Sequence, residues 1–432
     1  MTLVPPLPAH QLLVFLIQAG LLLGSALVLG RLARRMGTSA VVGELCAGVI
    51  FGPSLAGHLG PMSAFRLFPP GPGQQHLLDA VGQFGVLLLV GITGMTIDLA
   101  QIRRQGTTAV RVSAGGLLLP LAAGIATGLA LPPALSGQDV DRTVLAWFVG
   151  VAMCVSALPV IAKTLLEMGL LHRDIGQQIV SAAVVDDAAG WLLLSVVSAM
   201  ATTGVSAGIV ATEVALLAGV VLFTAVAGRP LVRAGMALAA RSGEPGVSVA
   251  AAVVVILLFS AGTQALGLEA VLGAFLGGIL ITAAGQAGMA PRLAPLRAFV
   301  MAVLAPMFFA TAGLRMDLTT LARPVVALAA AGILLVAVAG KFAGAYIGAR
   351  ASRLGHREAL ALGAGLNARG VIGMVVAMIG LRLHVLSTEM YTIVVLVAIL
   401  TSMMAPPILR YTGRRIQTTD AERHREKVLL GE

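Results

Sequence analysis

Thirteen long apolar segments occupy almost the entire chain. They run at roughly 11–30, 40–57, 79–99, 108–131, 143–168, 175–201, 209–228, 247–266, 268–288, 299–316, 324–349, 358–381 and 389–409. Each is close to the ~20 residues an α-helix needs to cross the hydrocarbon of a bilayer. The boundaries near 266–268 and 316–324 are the least marked. With 58% hydrophobic and 11% charged residues, a folded water-soluble domain could not hide this much apolar surface, so lipid is the natural solvent. Aromatics make up only 4%, against 52 glycines. That balance suits close-packed helices rather than a barrel with aromatic girdles. The expected fold class is therefore an all-α membrane protein of about 13 transmembrane helices.

The net charge of +10 does not point to nucleic acid, because the basic residues cluster between apolar segments. With the N-terminus outside, inner loops and tail carry twenty Lys or Arg and outer loops only Arg66, Arg142, Arg323 and Arg382. That asymmetry predicts a multi-pass cell (inner) membrane protein with a cytoplasmic C-terminus. The first segment lacks a basic leader and a small-residue cleavage site, so it reads as a retained helix. Cys46 and Cys154 form neither a disulfide framework nor a metal motif.

The two halves resemble each other in the same order. Gly43-Glu-Leu-Cys-Ala-Gly48 aligns with Gly273-Ala-Phe-Leu-Gly-Gly278, Gly94-Met-Thr-Ile-Asp98 with Gly313-Leu-Arg-Met-Asp317, and Pro159-Val-Ile-Ala with Gly370-Val-Ile-Gly. Repeat A (11–201) and repeat B (247–409) then flank a connector helix (209–228). A single connecting span gives the repeats opposite topology, as in secondary transporters whose site lies at the repeat interface.

Both repeats carry a helix break at matching depth. Pro159 lacks an amide proton and clashes with the preceding turn, so the fifth segment should break near Ser156. Its counterpart, Gly363-Ala-Gly365-Leu-Asn367-Ala-Arg369-Gly370, sets three glycines around an Asn and an Arg. Unwound backbone at this depth is tolerated only where it lines a cavity or protein. Crossed half-helices leave terminal dipole charge for Asn367, Arg369 and nearby carboxylates to offset.

The sixth segment holds Asp186 and Asp187 side by side near its middle. A charged group there costs on the order of 3 kcal/mol on insertion scales, so two mark a functional site. Adjacent helical residues point about 100° apart. One can thus face a cavity while the other meets Lys341, flanked by Gly340 and Gly344 in the eleventh segment. Desolvation moves both residue types toward neutrality, which allows proton exchange. A dehydrated carboxylate is also a ligand for a hard monovalent cation, and one carboxylate serving both gives obligatory exchange. A static ion pair locking helices is the alternative for Asp186 with Lys341, and pure dipole neutralisation is the alternative for Arg369. Lys163 and Glu167 read as a surface pair or funnel rim, and Glu44 as an interface residue.

These residues resemble the monovalent cation:proton antiporter-2 family over nearly the whole chain. The carrying motifs are Gly43-Glu-Leu-x-Ala-Gly48, Gly52-Pro-Ser54, Gly91…Gly94…Asp98, Ser156…Pro159, Val185-Asp-Asp187, Lys341 and Asn367-Ala-Arg-Gly370. The resemblance implies two crossed discontinuous helices in a core domain, a dimerisation domain and a homodimer. It also implies elevator-type exchange of Na⁺ or K⁺ for H⁺, with no cofactor and no enzymatic activity. By similarity Asp187 binds the metal cation and the proton, with Asp186 and Ser156 in the same ion-binding set. Lys341 is the charge partner of Asp186, and Asn367, Arg369 and Pro159 support the crossing. Relatives with two aspartates and this lysine tend to be electrogenic. Ser156-Ala157 stands where sodium-type relatives often carry Thr-Asp, leaving the cation open. Residues 1–410 are the expected exchanger domain. The tail, 411–432, is too short for the nucleotide-binding domain of many potassium-efflux relatives, so nucleotide gating is not expected. An organic-anion transporter on a related scaffold fits the acidic pair poorly. An intramembrane aspartyl protease needs its aspartates on separate helices.

Overall fold

The computed structural model describes residues 8–55, 72–97, 99–132, 140–168, 173–204, 207–284 and 289–413, together with positions 135, 137 and 170. Asp98 and the tail beyond 413 lie outside the described residues, as do the side chains of Pro159, Lys163 and Glu167. Among the described residues the chain is helical, without strands. In order the helices are α1 (Ala9–Arg35), α2 (Ala40–Phe51), α3 (Pro72–Met95), α4 (Leu99–Ala130), α5 (Arg142–Cys154), α6 (Leu158–Glu167), α7 (Asp174–Thr203), α8 (Ala207–Phe223) and α9 (Arg229–Arg241). They continue with α10 (Pro245–Ala265), α11 (Ala270–Ala283), α12 (Met289–Phe299), α13 (Ala305–Gly313), α14 (Pro324–Ala351), α15 (His356–Leu366), α16 (Gly370–Arg382) and α17 (Thr388–Gly413).

Nine of the described helical stretches are long and apolar enough to cross a bilayer, and the pair α15–α16, bent by 43°, makes a tenth. Three shorter apolar helices, α2, α5 and α11, occupy other expected spans. The protein is therefore a multi-pass membrane protein. Two expected segments prove longer than their apolar cores. The segment placed at 209–228 continues through a π-helical turn, Thr224–Gly228, into α9. The one placed at 299–316 begins instead at Met289 and passes through a second π turn, Val300–Leu304. Each extension buries one face: Val232, Met236 and Ala239 in α9, and Met289, Leu293 and Leu296 in α12, while Arg229, Arg233, Arg241 and Arg297 are exposed. Hydropathy alone stops where the first arginine enters. The helix does not, because one apolar face still packs. In α4 the membrane-length stretch starts only at Gly106 (φ +52), whose left-handed backbone turns the chain away from the preceding Leu99–Gln105 turns.

Packing sorts the helices into two bundles. One contains α4–α7 and α14–α17; the other contains α1–α3 and α9–α13. Glycines set the closeness within each. A Cβ on Gly115 of α4 would strike the Gly344 carbonyl of α14, and the reverse also holds. In the second bundle Gly48 and Gly313 are paired in the same way, as are Gly94 with the α11 backbone and Gly278 with Gly91. Likewise Gly43 packs on the Leu29 carbonyl and Gly273 on the Phe259 carbonyl. Where lipid supplies no hydrophobic drive between helices, such backbone approach is the main source of contact energy. Glu44, beside Gly30 of α1, belongs to this second bundle. The bundles meet where α7 touches α11 and where Arg382 Nη2, on α16, donates to Glu269 Oε2 at 2.9 Å, at the start of α11.

The Gly115–Gly344 contact makes a specific demand. Gly344→Ala should destabilise the protein by ~1–3 kcal/mol, the usual cost of overpacking, seen as a lowered melting temperature in detergent. Gly332→Ala, on the same helix with open space around it, should be neutral or slightly stabilising, because alanine favours helix.

Candidate functional site

Four half-helix ends meet in the middle of the first bundle. Helix α5 stops at Cys154 and α6 starts at Leu158, leaving Val155, Ser156 and Ala157 unwound; α15 stops at Leu366 and α16 starts at Gly370, leaving Asn367, Ala368 and Arg369. The Ala157 N–H donates to the Ala368 carbonyl at 2.8 Å, so the two breaks are joined backbone to backbone. Gly370 adopts φ +34, and a Cβ there would run into Val160 and Ala157. Only glycine combines that conformation with that approach.

Helix ends in an apolar interior must find partners for their free carbonyls and amides. Here charged side chains supply them. The α5 C-terminus presents the Met153 and Cys154 carbonyls. Arg369 Nη2 donates to the first at 2.7 Å and Lys341 Nζ to the second at 2.6 Å. Both cations thus sit at the negative end of a helix dipole. Arg369 also donates to the Ala337 carbonyl at 2.8 Å and to Asn367 Oδ1 at 3.2 Å. At the positive end of α6 the Leu158 N–H donates to Asp187 Oδ1 at 3.3 Å. At the α16 start the Gly370 N–H donates to Ser402 Oγ at 3.1 Å.

The two aspartates occupy different surroundings. Asp186 Oδ2 accepts from Lys341 Nζ at 2.6 Å, in an ion pair with both side chains 0% exposed. The Ser156 hydroxyl lies 2.6 Å from the same oxygen and 2.9 Å from the Leu366 carbonyl, so it donates to one of them at a time. Ser113 Oγ, on α4, donates to Asp186 Oδ1. Both oxygens of Asp186 are therefore engaged. Asp187 is also fully buried, yet its Oδ2 has no hydrogen-bond partner. The Asn367 Nδ2 amide is likewise buried and unpartnered. Unsatisfied buried polar atoms are few in folded proteins and call for an explanation such as a ligand. A buried carboxylate oxygen without a donor, set among helix ends, is a position a monovalent cation or a proton can occupy.

Asp186, Asp187, Ser156, Lys341, Asn367 and Arg369 are thus brought to one buried cluster, with Pro159 in the first turn of α6. Ser156 meets Asp186; among the described contacts none joins it to Asp187. Sequence reasoning overlooked Ser113 and Ser402. Ser113 precedes the small run Ala114-Gly115-Gly116, and a hydroxyl beside the tightest helix contact was the available clue. Ser402 carries no comparable mark. Among the described residues no group of three or more His, Cys, Asp or Glu could hold a resident metal ion.

A family model described as sodium/hydrogen exchanger, transmembrane, matches residues 22–413. Cation/H(+) antiporter 20 of Arabidopsis thaliana is 30% identical over 95% of this chain, which spans about half (51%) of that relative's length. Na(+)/H(+) antiporter NhaS4 of Synechocystis is 28% identical, the match covering 93% of this chain and 97% of the relative. The solved structure of the sodium proton antiporter MjNhaP1 of Methanocaldococcus jannaschii at pH 8 superposes with a TM-score of 0.67. It does so at 15% identity, over 98% of this chain and 100% of that one. That likeness establishes the fold.

The Asp186–Lys341 pair can be tested directly. Lys341→Met leaves a buried carboxylate without its cation and should cost ~3–5 kcal/mol of stability. The double variant Lys341→Met with Asp186→Asn should recover most of that loss. A thermal-unfolding double-mutant cycle in detergent measures both; an unchanged melting temperature for Lys341→Met alone would mean that Asp186 is not ionised.

Proposed function

The chain belongs to the sodium/hydrogen exchanger transmembrane family, and from that membership we propose that it is a secondary active antiporter exchanging a monovalent cation, Na⁺ or K⁺, for H⁺. The observation that carries this reading is the unpartnered Oδ2 of Asp187 beside an Asp186 whose oxygens are both engaged. One carboxylate is free to take cargo, and its neighbour is held as structure. A cation or a proton neutralises the same charge on Asp187, so binding one excludes the other, and exchange follows without a separate coupling device. The Leu158 N–H at the start of α6 donates to Asp187 Oδ1, which leaves Oδ2 for the proton or the cation.

Lys341 and Arg369 take different parts. Arg369 does not give up its proton under ordinary conditions, and its four donor contacts run to backbone carbonyls and Asn367. It serves as fixed charge at the crossing. Lys341 is the ion-pair partner of Asp186, and electrogenic transport is read from the resemblance to relatives that carry two aspartates and this lysine.

Alternating access is assigned to an elevator-type movement of the α4–α7 and α14–α17 bundle against the other. Gly43 on the Leu29 carbonyl matches Gly273 on the Phe259 carbonyl, and Gly48 with Gly313 matches Gly278 with Gly91; these equivalent positions support two inverted repeats, 11–201 and 247–409. We read the chain as a homodimer in the cell membrane with its N-terminus outside; the lysine and arginine distribution supports the orientation, and the resemblance to the family supports the dimer. The plant relatives are named for cations and NhaS4 for sodium; Ser156-Ala157 at the crossing leaves both Na⁺ and K⁺ as cargo to be compared.

In inverted vesicles holding an imposed pH gradient, adding Na⁺, K⁺ or Li⁺ in turn should dissipate the gradient for at least one of them. Asp187→Asn should abolish that response, and full activity in this variant would refute the assignment. Lys341→Gln should keep exchange but lose its dependence on membrane potential, read by comparing rates with and without a clamped potential.

A further inference from the structure

Four buried polar atoms on α7 lack a hydrogen-bond partner and fall on one side of the helix: Asp187 Oδ2, Trp191 Nε1, Ser195 Oγ and Ser198 Oγ. At about 100° per residue they lie within an arc of roughly 80°. Successive members are four, four and three residues apart, so each is the surface neighbour of the next, with about 5–6 Å between Cβ atoms. That is a separation one water molecule can bridge. The residues are 0%, 2%, 0% and 4% exposed. The row climbs ~16 Å from Asp187 toward the Thr203 end of α7 at the helical rise of 1.5 Å per residue, which is half of a ~30 Å hydrocarbon core.

Serine and threonine in a membrane helix ordinarily satisfy themselves by bonding to the carbonyl four residues back. This protein follows that habit elsewhere: Ser260 bonds to Ile256, Ser402 to Ala398 and Thr401 to Val397. Ser195 and Ser198 do not. Each unsatisfied buried polar group costs about 1–3 kcal/mol, and a helix that repeats this along one face points to a polar occupant. Trp191 shows what the face looks onto. Its ring lies 6.2 Å from that of Phe275 on α11, across the seam between the two bundles. Asp186, about 100° around from Asp187, looks instead toward Ser113 and Lys341. Gln178 and Ser181, also unpartnered, fall outside the arc.

We propose that Trp191, Ser195 and Ser198 line a single file of water that carries protons between Asp187 and the membrane face at the Thr203 end of α7. The assignment rests on Asp187 being the exchanging carboxylate. Burial this complete suits water and hydronium rather than a hydrated cation. Trp191 donates only, while each serine both donates and accepts, so the row offers each water the two or more polar partners it needs.

Cysteine accessibility tests it without relying on transport. Ser195→Cys and Ser198→Cys are treated in chloride-free buffer with Ag⁺, a thiol-reactive ion that sheds its water and is small enough for a water file, in right-side-out and in inverted vesicles under an imposed ion gradient. Labelled thiols are read by their protection from alkylation after unfolding, with the parent's Cys46 and Cys154 setting the background. Val197→Cys and Ala199→Cys, buried neighbours on either side of Ser198, are the controls. Labelling at 195 and 198 at least tenfold above the controls, from the Thr203 side alone, is the expected result. Labelling from the opposite side, equal labelling at the controls, or none at 195 and 198 would overturn the file. If the row is labelled while no cation moves protons through the parent protein, the water path stands and the antiport reading falls. If the parent transports and the row stays unlabelled, the antiport reading stands and the path falls.

Discussion

A helix that stops inside a membrane leaves amide and carbonyl groups that no water can satisfy, and here four such ends converge. Much of the structure can be read as the answer to that constraint. The carbonyl end of α5 takes Lys341 and Arg369, the amide end of α6 takes Asp187, and the two unwound linkers bond directly through Ala157 and Ala368. The charged groups that complete the helix ends are also those that could move charge. That dual use explains how such costly residues persist at this depth.

The same constraint divides the carboxylates. Asp186 is committed on every side by Lys341, Ser156 and Ser113. Asp187 has one backbone donor and one oxygen to spare. A buried ion pair adds little net stability because desolvation offsets its attraction, so Asp186–Lys341 is better understood as fixing geometry. It holds α7 against α14, with Asp187 one helical turn from Trp191, which meets Phe275 across the seam.

Much of this was legible in the sequence. The breaks announced themselves through Pro159 and through Gly365 and Gly370, whose chemistry forbids a plain helix. Lys341 was identifiable as the partner of an aspartate because it is the only lysine deep in an apolar segment, and no other cation of its kind competes. The extents of α9 and α12 were not legible, because a hydropathy reading discards a helix whose face has turned polar even though its other face still packs. Ser113 and Ser402 were hidden for a different reason. Serine is common in membrane helices, and only its position in space distinguishes one that bonds to its own helix from one that bonds to a buried carboxylate or to the first amide of α16.

The glycine contacts carry a mechanical consequence. Among the described residues, every glycine whose missing side chain admits a neighbouring helix does so within one bundle: Gly115 with Gly344, Gly124 with Gly150, Gly48 with Gly313, Gly278 with Gly91. None of them bridges the two. Backbone keyed against backbone resists sliding, since neither surface can yield by changing a rotamer. Side chains such as Trp191 and Phe275, which meet across the seam, can re-form their contacts after a shift. The molecule therefore has a grain, stiff within each half and compliant along a single plane, and that plane passes beside Asp187.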